Sequence, residues 1–76
     1  MNEQTRRPQK GDTCRTPTVC RAGCHERWLH GVVVNARRKR TILVQWFLPD
    51  GREGGLVEER RASFLPKKDG WVVALD

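Results

Sequence analysis

The chemically most distinctive run in the sequence is a block of four consecutive cations: Arg37, Arg38, Lys39 and Arg40. The block lies between two segments with the composition of β-strands, so we expect it at the tip of a projecting hairpin. Adjacent cations attract phosphates, and each phosphate that they neutralise releases counterions, which makes such binding salt-dependent. The block therefore predicts a contact surface for DNA or RNA without sequence specificity, to which the pairs Arg60-Arg61 and Lys67-Lys68 would add.

The alternative for such a run is a solvated turn that only keeps the domain in solution. The chain of 76 residues contains 15 Lys and Arg against 9 Asp and Glu, a formal net charge of +6. This excess favours a polyanionic partner or an acidic protein surface. Arg6, Arg7 and Lys10 would extend the positive charge along the N-terminal segment, and Trp46 or Trp71 could stack a base beside it.

Five side chains of metal-ligating type lie within residues 14–30: Cys14, Cys20, Cys24, His25 and His30. Structural zinc sites usually take two ligands from a tight pair of cysteines separated by two to four residues. Only Cys20 and Cys24 come close to that arrangement, and no second tight pair follows. We therefore predict no metal and no cofactor, with Cys20, Cys24 and His25 as the remaining candidates and Cys14 as a small buried apolar residue.

Catalytic arrangements are weakly represented in the chain. Cys24 and His30 could pair as nucleophile and base, but no acidic residue stands at a spacing that would orient the histidine. The Gly54-Gly55 pair lacks the lysine and the helix of a phosphate-binding loop. A chain of this length is also short for a deep catalytic pocket. We predict that the protein is not an enzyme.

The segments that must position these residues have the composition of short strands separated by turns. The two clearest strands are residues 28–35 and 41–47, which are rich in β-branched and aromatic residues. Pro49-Asp50-Gly51 is a strong turn signal directly after the second of them. Shorter strands are predicted at residues 13–18, 56–58 and 71–75, with a single helical turn within residues 60–65.

Both clear strands are apolar on both faces near their middles, which favours a strongly curved barrel over a flat sheet. We therefore predict an all-β fold, a small five-stranded barrel at residues 10–76, preceded by a disordered leader at residues 1–9. The predicted core consists of eight apolar side chains: Val32, Val34, Ile42, Val44, Leu56, Phe64, Leu65 and Val73.

The apolar segments and the cysteines of the chain indicate its cellular location. The longest apolar runs, residues 32–34 and 42–44, fall far short of the ~20 residues that a membrane-spanning helix needs. The first residues are polar and charged with no apolar stretch after them, unlike a secretory signal peptide. The three cysteines cannot all pair with one another, so we expect reduced thiols in an intracellular compartment and no membrane partner.

Several segments carry a family resemblance. Gly11-Asp12-Thr13-Cys14 followed by Trp28-Leu29-His30-Gly31-Val32-Val33 resembles the opening of a Tudor domain, a member of the SH3-like small barrels. Ile42-Leu43-Val44-Gln45-Trp46 resembles the third Tudor strand, and Asp50-Gly51 lies where the family has a turn. Ala62-Ser63-Phe64-Leu65-Pro66 resembles the closing turn. The resemblance covers most of the chain, from Lys10 to Lys67.

This resemblance implies a binding module in chromatin or in nucleic-acid-associated complexes, with a nuclear location. Tudor domains often hold a methylated lysine or arginine in an aromatic cage through cation–π attraction. The matching positions imply a rim for a protein tail or peptide: Trp28, Trp46, Phe47 and Asp50. The alternative for Trp28 and Trp46 is packing inside the barrel. A third hypothesis is a protein-docking or dimerisation barrel, with the oligomeric state left open.

Overall fold

A computed structural model of the protein describes residues 7–18 and 27–74. These residues form one six-stranded sheet whose strands are β1 (Thr13–Thr18), β2 (Arg27–Asn35), β3 (Thr41–Phe47), β4 (Glu53–Arg60), β5 (Phe64–Lys67) and β6 (Gly70–Val73). A 3-10 helix, Arg61–Ser63, connects β4 to β5. The prediction of an all-β fold is confirmed.

The strands follow the order β4-β3-β2-β1-β6-β5 across the sheet. Neighbouring strands pair antiparallel except β1 and β6, which run parallel with Cys14 opposite Trp71. Within the described residues, β4 and β5 are the two edges of the sheet and do not pair with each other. The described residues therefore contain six strands where five were predicted, and their sheet is not closed.

The additional strand arises from the segment predicted as a helical turn. That turn is limited to the 3-10 helix Arg61–Ser63, and the chain continues directly into β5. Pro66 lies in β5 opposite Trp71 of β6. A strand at the edge of a sheet needs hydrogen bonds on one side only, so it accommodates a proline that cannot donate one.

The inner face of the sheet buries a single cluster of side chains: Cys14, Val33, Ile42, Val44, Trp46, Phe64, Trp71 and Val73. Burial alternates strictly along β3, where Ile42, Val44 and Trp46 are buried. This is the period-two pattern of a strand, and it confirms the predicted burial of Ile42 and Val44. The members come from five of the six strands, so the sheet curls around them.

The predicted core face of β2 is wrong. Val33 is almost fully buried, whereas Val32 is half-buried and Val34 is 37% exposed. Val33 pairs with Val44 and Asn35 pairs with Leu43, so Val34 is an extra residue in a β-bulge. The alternation itself holds up to the bulge, with Gly31 and Val33 on the inner face, so the prediction chose the opposite face of β2.

Gly31 also fixes which face of β2 turns inward. A Cβ atom at this position would lie 2.7 Å from Cε3 of Trp46 and 2.9 Å from Cγ1 of Val44. Those distances are shorter than carbon atoms tolerate, so the absent side chain makes room for the Trp46 indole.

Two further core predictions are wrong, since Leu56 is 59% exposed and Leu65 is 46% exposed. Leu56 lies opposite Gln45, and Leu65 lies opposite Val72, both on the outer face of the sheet. β4 contributes no residue to the buried cluster of the described chain. Trp46 pairs with Gly55 and Phe47 pairs with Glu53, so Gly54 is an extra residue in a bulge of β4.

The end of the predicted leader contacts the sheet. Pro8 is buried, and the backbone N–H of Gln9 donates to Oδ2 of Asp12 at 3.0 Å. The N–H of Gly11, which has a φ of 92°, donates to the carbonyl of Val33. Residues 7–9 are thus held beside β2, whereas residues 1–6 lie outside the described part of the chain.

Helices in the described ranges are too short and too polar to cross a membrane.

Candidate functional site

The basic turn, residues 36–40, connects β2 to β3 and is held by one side chain from outside it. The Arg61 guanidinium donates through Nη2 to the carbonyl of Ala36 at 2.8 Å and to that of Arg38. Its Nε donates to the carbonyl of Lys39 at 3.1 Å. The backbone N–H of Arg61 also donates to the carbonyl of Arg40 at 2.9 Å. One residue of the 3-10 helix therefore contacts almost every carbonyl of the turn.

The start of the basic turn is fixed by a second, local contact. Oδ1 of Asn35, the last residue of β2, accepts a hydrogen bond from the N–H of Arg37 at 2.9 Å. An Asn side chain that bonds to the backbone two residues later is a recurrent turn-forming device. Together, Asn35 and Arg61 give the basic turn a defined backbone before any ligand is present.

Three of the four cationic side chains in the basic turn are available to a ligand. Arg37, Lys39 and Arg40 are exposed, and no carboxylate among the described residues pairs with them. Arg38 differs, because its Nη1 forms an ion pair with Oε1 of Glu58 on β4. The turn thus presents exposed positive charge on a backbone whose carbonyl oxygens are largely occupied.

Two depressions lie on either side of the basic turn. One, of about 620 Å³, is lined by Lys39, Arg40, Thr41, Arg60, Arg61 and Ala62. The other, of about 500 Å³, lies between residues 7–9 and residues 36–39, with Arg61 at its boundary. Arg7 lines this second depression, so the described end of the leader does add positive charge beside the basic turn. Lys39 and Arg61 line both depressions.

The second predicted pair of cations lies on a different turn. Lys67 ends β5, and Lys68 is exposed in the turn that leads to β6. Neither residue lines the two depressions beside the basic turn. The structure therefore groups Arg7 and Arg60 with the basic turn, and places Lys67 and Lys68 apart from it.

The predicted aromatic rim is divided between the two faces of the sheet. Gly31 lies opposite Trp46, whereas His30 lies opposite Phe47, so Trp46 points inward and Phe47 outward. Trp28 shares the outer face with His30, because the two are separated by two positions on one strand. Trp28 and Trp46 therefore do not line a common cage.

The environments of the two tryptophans differ accordingly. Trp28 is 43% exposed and lies under the Arg15 guanidinium, whose Cζ is 5.3 Å from the centre of the indole ring. Trp46 is 7% exposed and belongs to the core. Asp50 is exposed in the β3–β4 turn, where its Oδ2 pairs with Nε of Arg52 at 2.6 Å. Trp71, proposed above as a base-stacking residue, is buried to 2% exposure.

A third depression, of about 330 Å³, opens onto the inner side of the sheet. Its lining consists of Thr16, Leu29, Trp46, Val57, Glu59, Val73 and Ala74. Nε1 of Trp46 donates to Oε2 of Glu59 at 3.0 Å, which places a carboxylate in an otherwise mostly apolar lining. We refer to this depression as the Glu59 groove.

The cysteine and histidine candidates give no metal site in the described residues. No group of three or more His, Cys, Asp or Glu side chains within residues 7–18 and 27–74 is arranged to hold a metal ion. Cys20, Cys24 and His25 lie outside these ranges, so that prediction is not tested. Burial, with the nearby Glu59 and Asp12 carboxylates, raises the pKa of the Cys14 thiol to about 12. Cys14 is therefore protonated near neutral pH and is a poor nucleophile.

Two contributors to the basic turn were not identified from the sequence. Arg61 and Glu58 both lie outside the predicted hairpin, and Glu58 is twenty positions from Arg38. Arg61 reaches the carbonyls of residues 36–39 from more than twenty positions away. No local pattern marks such a contact, because it depends on β3 and β4 pairing first and bringing Thr41 opposite Arg60.

Comparison with protein-family models, with curated proteins and with solved structures returned no significant match.

Proposed function

We propose that the protein is a non-catalytic domain that binds DNA or RNA by contacting phosphates through the basic turn. The observation that supports this proposal is the group of exposed cations, Arg37, Lys39 and Arg40, on a turn fixed by Arg61. Phosphate contacts of this kind supply affinity without reading the base sequence. Such a domain would act in chromatin or another nucleic-acid-associated complex.

The hydrogen bonds of Arg61 favour phosphate binding in two ways. Backbone carbonyl oxygens carry partial negative charge, and those of Ala36, Arg38 and Lys39 are covered by a guanidinium instead of facing the ligand. The fixed backbone also reduces the conformational entropy that would be lost on binding. Arg7 and Arg60 then extend the positive surface into the two flanking depressions.

The finer fold assignment, to the SH3-like barrels and their Tudor-like members, is part of this proposal. A sheet that curls around a single core cluster supports it, as does a 3-10 turn before the last two strands. The fold assignment carries no function by itself, because one fold can host several functions.

The direct test is a titration of the protein into fluorescently labelled duplex DNA, duplex RNA and single-stranded DNA at several salt concentrations. The triple variant Arg37→Gln, Lys39→Gln, Arg40→Gln should lower the affinity at least about 100-fold at low salt, since each good ionic contact contributes roughly fivefold or more. The slope of log K against log[salt] should fall by about 0.9 for every duplex phosphate contact that is lost.

A variant with the same loss of charge provides the control. Arg52→Gln, Lys67→Gln, Lys68→Gln also removes three cations, all of them outside the two depressions beside the basic turn. Its affinity should fall much less than that of the basic-turn variant. Equal losses in the two variants would show that net charge alone governs binding, and no measurable binding by the unmodified protein would reject the proposal.

A second candidate function, peptide binding, is favoured by the Glu59 groove. Its mostly apolar lining and its one carboxylate suit a peptide side chain that carries an apolar stem and a positive end. An NMR titration with a lysine-rich peptide, unmethylated and trimethylated, should shift the Trp46 indole N–H, and Glu59→Gln should weaken the effect. Chemical-shift changes confined to the outer face, or no changes, would reject peptide binding. If the protein also fails to bind nucleic acid, protein docking remains as the explanation.

A further inference from the structure

We infer that Arg61 is a positioning residue for nucleic-acid binding: it orders the basic turn before the ligand arrives. This inference rests on the proposed function and deepens it. Its basis is the set of three hydrogen bonds from one guanidinium to the carbonyls of Ala36, Arg38 and Lys39. These bonds hold the backbone on both sides of Arg37 and Arg38, and they are made within the ligand-free domain.

The cations of the basic turn cannot order the turn by themselves. Four adjacent positive side chains repel one another, and only Arg38 has a carboxylate partner among the described residues. A turn without an external anchor would sample many conformations, and binding would have to select those in which the cations match the phosphates. The affinity of the intact turn should therefore exceed that of a mobile turn with the same charges.

Lysine cannot replace Arg61 in this arrangement. Arginine presents five N–H donors in a planar fork, whereas lysine carries a single ammonium group at the end of a flexible chain. Arg61→Lys keeps the net charge at +6 but cannot bridge carbonyls from Ala36 to Lys39 with the same geometry. This variant consequently separates the ordering role of Arg61 from its charge.

The experiment compares affinity and salt dependence for the same labelled duplex DNA. We expect Arg61→Lys to weaken binding about 10-fold while the slope of log K against log[salt] stays within error of the unmodified protein, since the same phosphates are contacted once the complex forms. Lys39→Gln, in contrast, should reduce that slope by about 0.9. Arg52→Lys, in the β3–β4 turn and outside both depressions, should bind like the unmodified protein.

Two further measurements keep the inference testable if Arg61→Lys destabilises the fold. Asn35→Ala removes the hydrogen bond to the N–H of Arg37 without changing any charge, and it should weaken binding about threefold at constant slope. In NMR relaxation experiments on the free proteins, both variants should lower the backbone order parameters of residues 37–40 while leaving those of β3 unchanged.

The outcomes distinguish the two claims. If the unmodified protein does not bind duplex DNA or RNA at low salt, the proposed function is rejected, and this inference is rejected with it. If the protein binds, and Arg61→Lys and Asn35→Ala bind as tightly as the unmodified protein, then the positioning role is rejected and the proposed function stands. This holds whether the basic turn of the variants is rigid or mobile. A smaller salt slope in Arg61→Lys would also reject the positioning role, because it would indicate that Arg61 itself contacts a phosphate.

Discussion

The two hairpin turns at the ends of β3 are held in opposite ways. The β3–β4 turn, residues 48–52, is closed by its own atoms: the N–H of Gly51 donates to the carbonyl of Leu48 at 2.8 Å, and the N–H of Leu48 donates to the carbonyl of Arg52 at 2.7 Å. The Asp50 carboxylate accepts from the backbone and the side chain of Arg52. The basic turn at the other end depends on Arg61, which follows the last residue of β4.

The difference shows that the residues of a turn can favour its conformation or can instead provide its charge. Pro49-Asp50-Gly51 contains residue types that favour a turn by themselves, so this turn needs no outside support. The basic turn consists of residues that suit a charged surface, and apart from the Asn35 contact its conformation is imposed by the rest of the fold.

Removing the external anchor should have the largest effect on stability. Arg61→Ala should lower the free energy of unfolding by about 2 kcal/mol, because carbonyls of the basic turn lose a charged donor. Arg60→Ala, at the exposed adjacent position, should cost less than about 0.5 kcal/mol. Urea denaturation of both variants measures the difference. Similar losses would show that the basic turn does not depend on Arg61.

A change in the self-contained turn should have an intermediate and local effect. Gly51 has a φ of 92°, a conformation that costs a side-chain-bearing residue about 1 kcal/mol, so Gly51→Ala should destabilise the protein by roughly that amount. Gly55→Ala is the control, because Gly55 lacks a positive φ and nothing lies within 4 Å of an added Cβ. Thermal unfolding should separate the two variants. Amide shifts in residues 36–40 that follow Gly51→Ala would contradict the independence of the two turns.

The ion pair between Arg38 and Glu58 should contribute less than either anchor. Its side chains are 70% and 47% exposed, and pairs of that kind are screened by water and salt. A double-mutant cycle with Arg38→Gln and Glu58→Gln should give a coupling energy of about 0.5 kcal/mol that declines in high salt. A coupling energy well above about 1 kcal/mol would assign to this pair the role that we assign to Arg61.

The β5–β6 turn offers a third case, with the smallest expected effect. Arg15 of β1 pairs with Asp69 at 3.0 Å, and this hydrogen bond lowers the pKa of the Asp69 carboxyl. An acid whose folded-state pKa is lowered stabilises the fold above its unfolded-state pKa, and that contribution disappears as the pH falls through the folded-state value. The unmodified protein should therefore have a higher free energy of unfolding than Asp69→Asn near neutral pH. This difference should decrease as the pH falls from about 5 to about 2.

An NMR titration tests the cause directly. Arg15→Gln should raise the pKa of Asp69 toward its ordinary value, because the hydrogen bond that lowers it is removed. An unchanged pKa in this variant would show that Arg15 does not anchor the turn. In that case, support of a turn by a distant arginine would be specific to the basic turn.

The features that were predictable from the sequence are those set by neighbouring residues. The bounds of β3, the inward face of Ile42 and Val44, and the turn at Pro49-Asp50-Gly51 all follow from local composition and alternation. The exposed cations of the basic turn belong to the same class. Each of these features depends on residues within a few positions along the chain, so a short stretch of sequence is enough to predict it.

The features that were not predictable depend on pairing between distant segments. The bulge at Val34 shifts β2 relative to β3, and β5 exists because β6 supplies a partner for residues around Pro66. Trp28 and Trp46 lie on opposite faces of the sheet because of the register between β2 and β3. A shift of that register by one position would move the side chains of a strand to the other face. Arg61 reaches the basic turn only after β3 and β4 have paired.

The parallel pairing of β1 with β6 has a consequence for the synthesis of the chain. The hydroxyl of Thr16 donates to the carbonyl of Val73, 57 positions later. At about 5–20 residues per second, a ribosome would need roughly 3 to 11 seconds to extend the chain over that interval. During this time β1 can pair only with β2, and its other side stays without its native neighbour. Hydrogen exchange during translation should therefore protect the β1 amides that bond to β2 seconds before those that bond to β6.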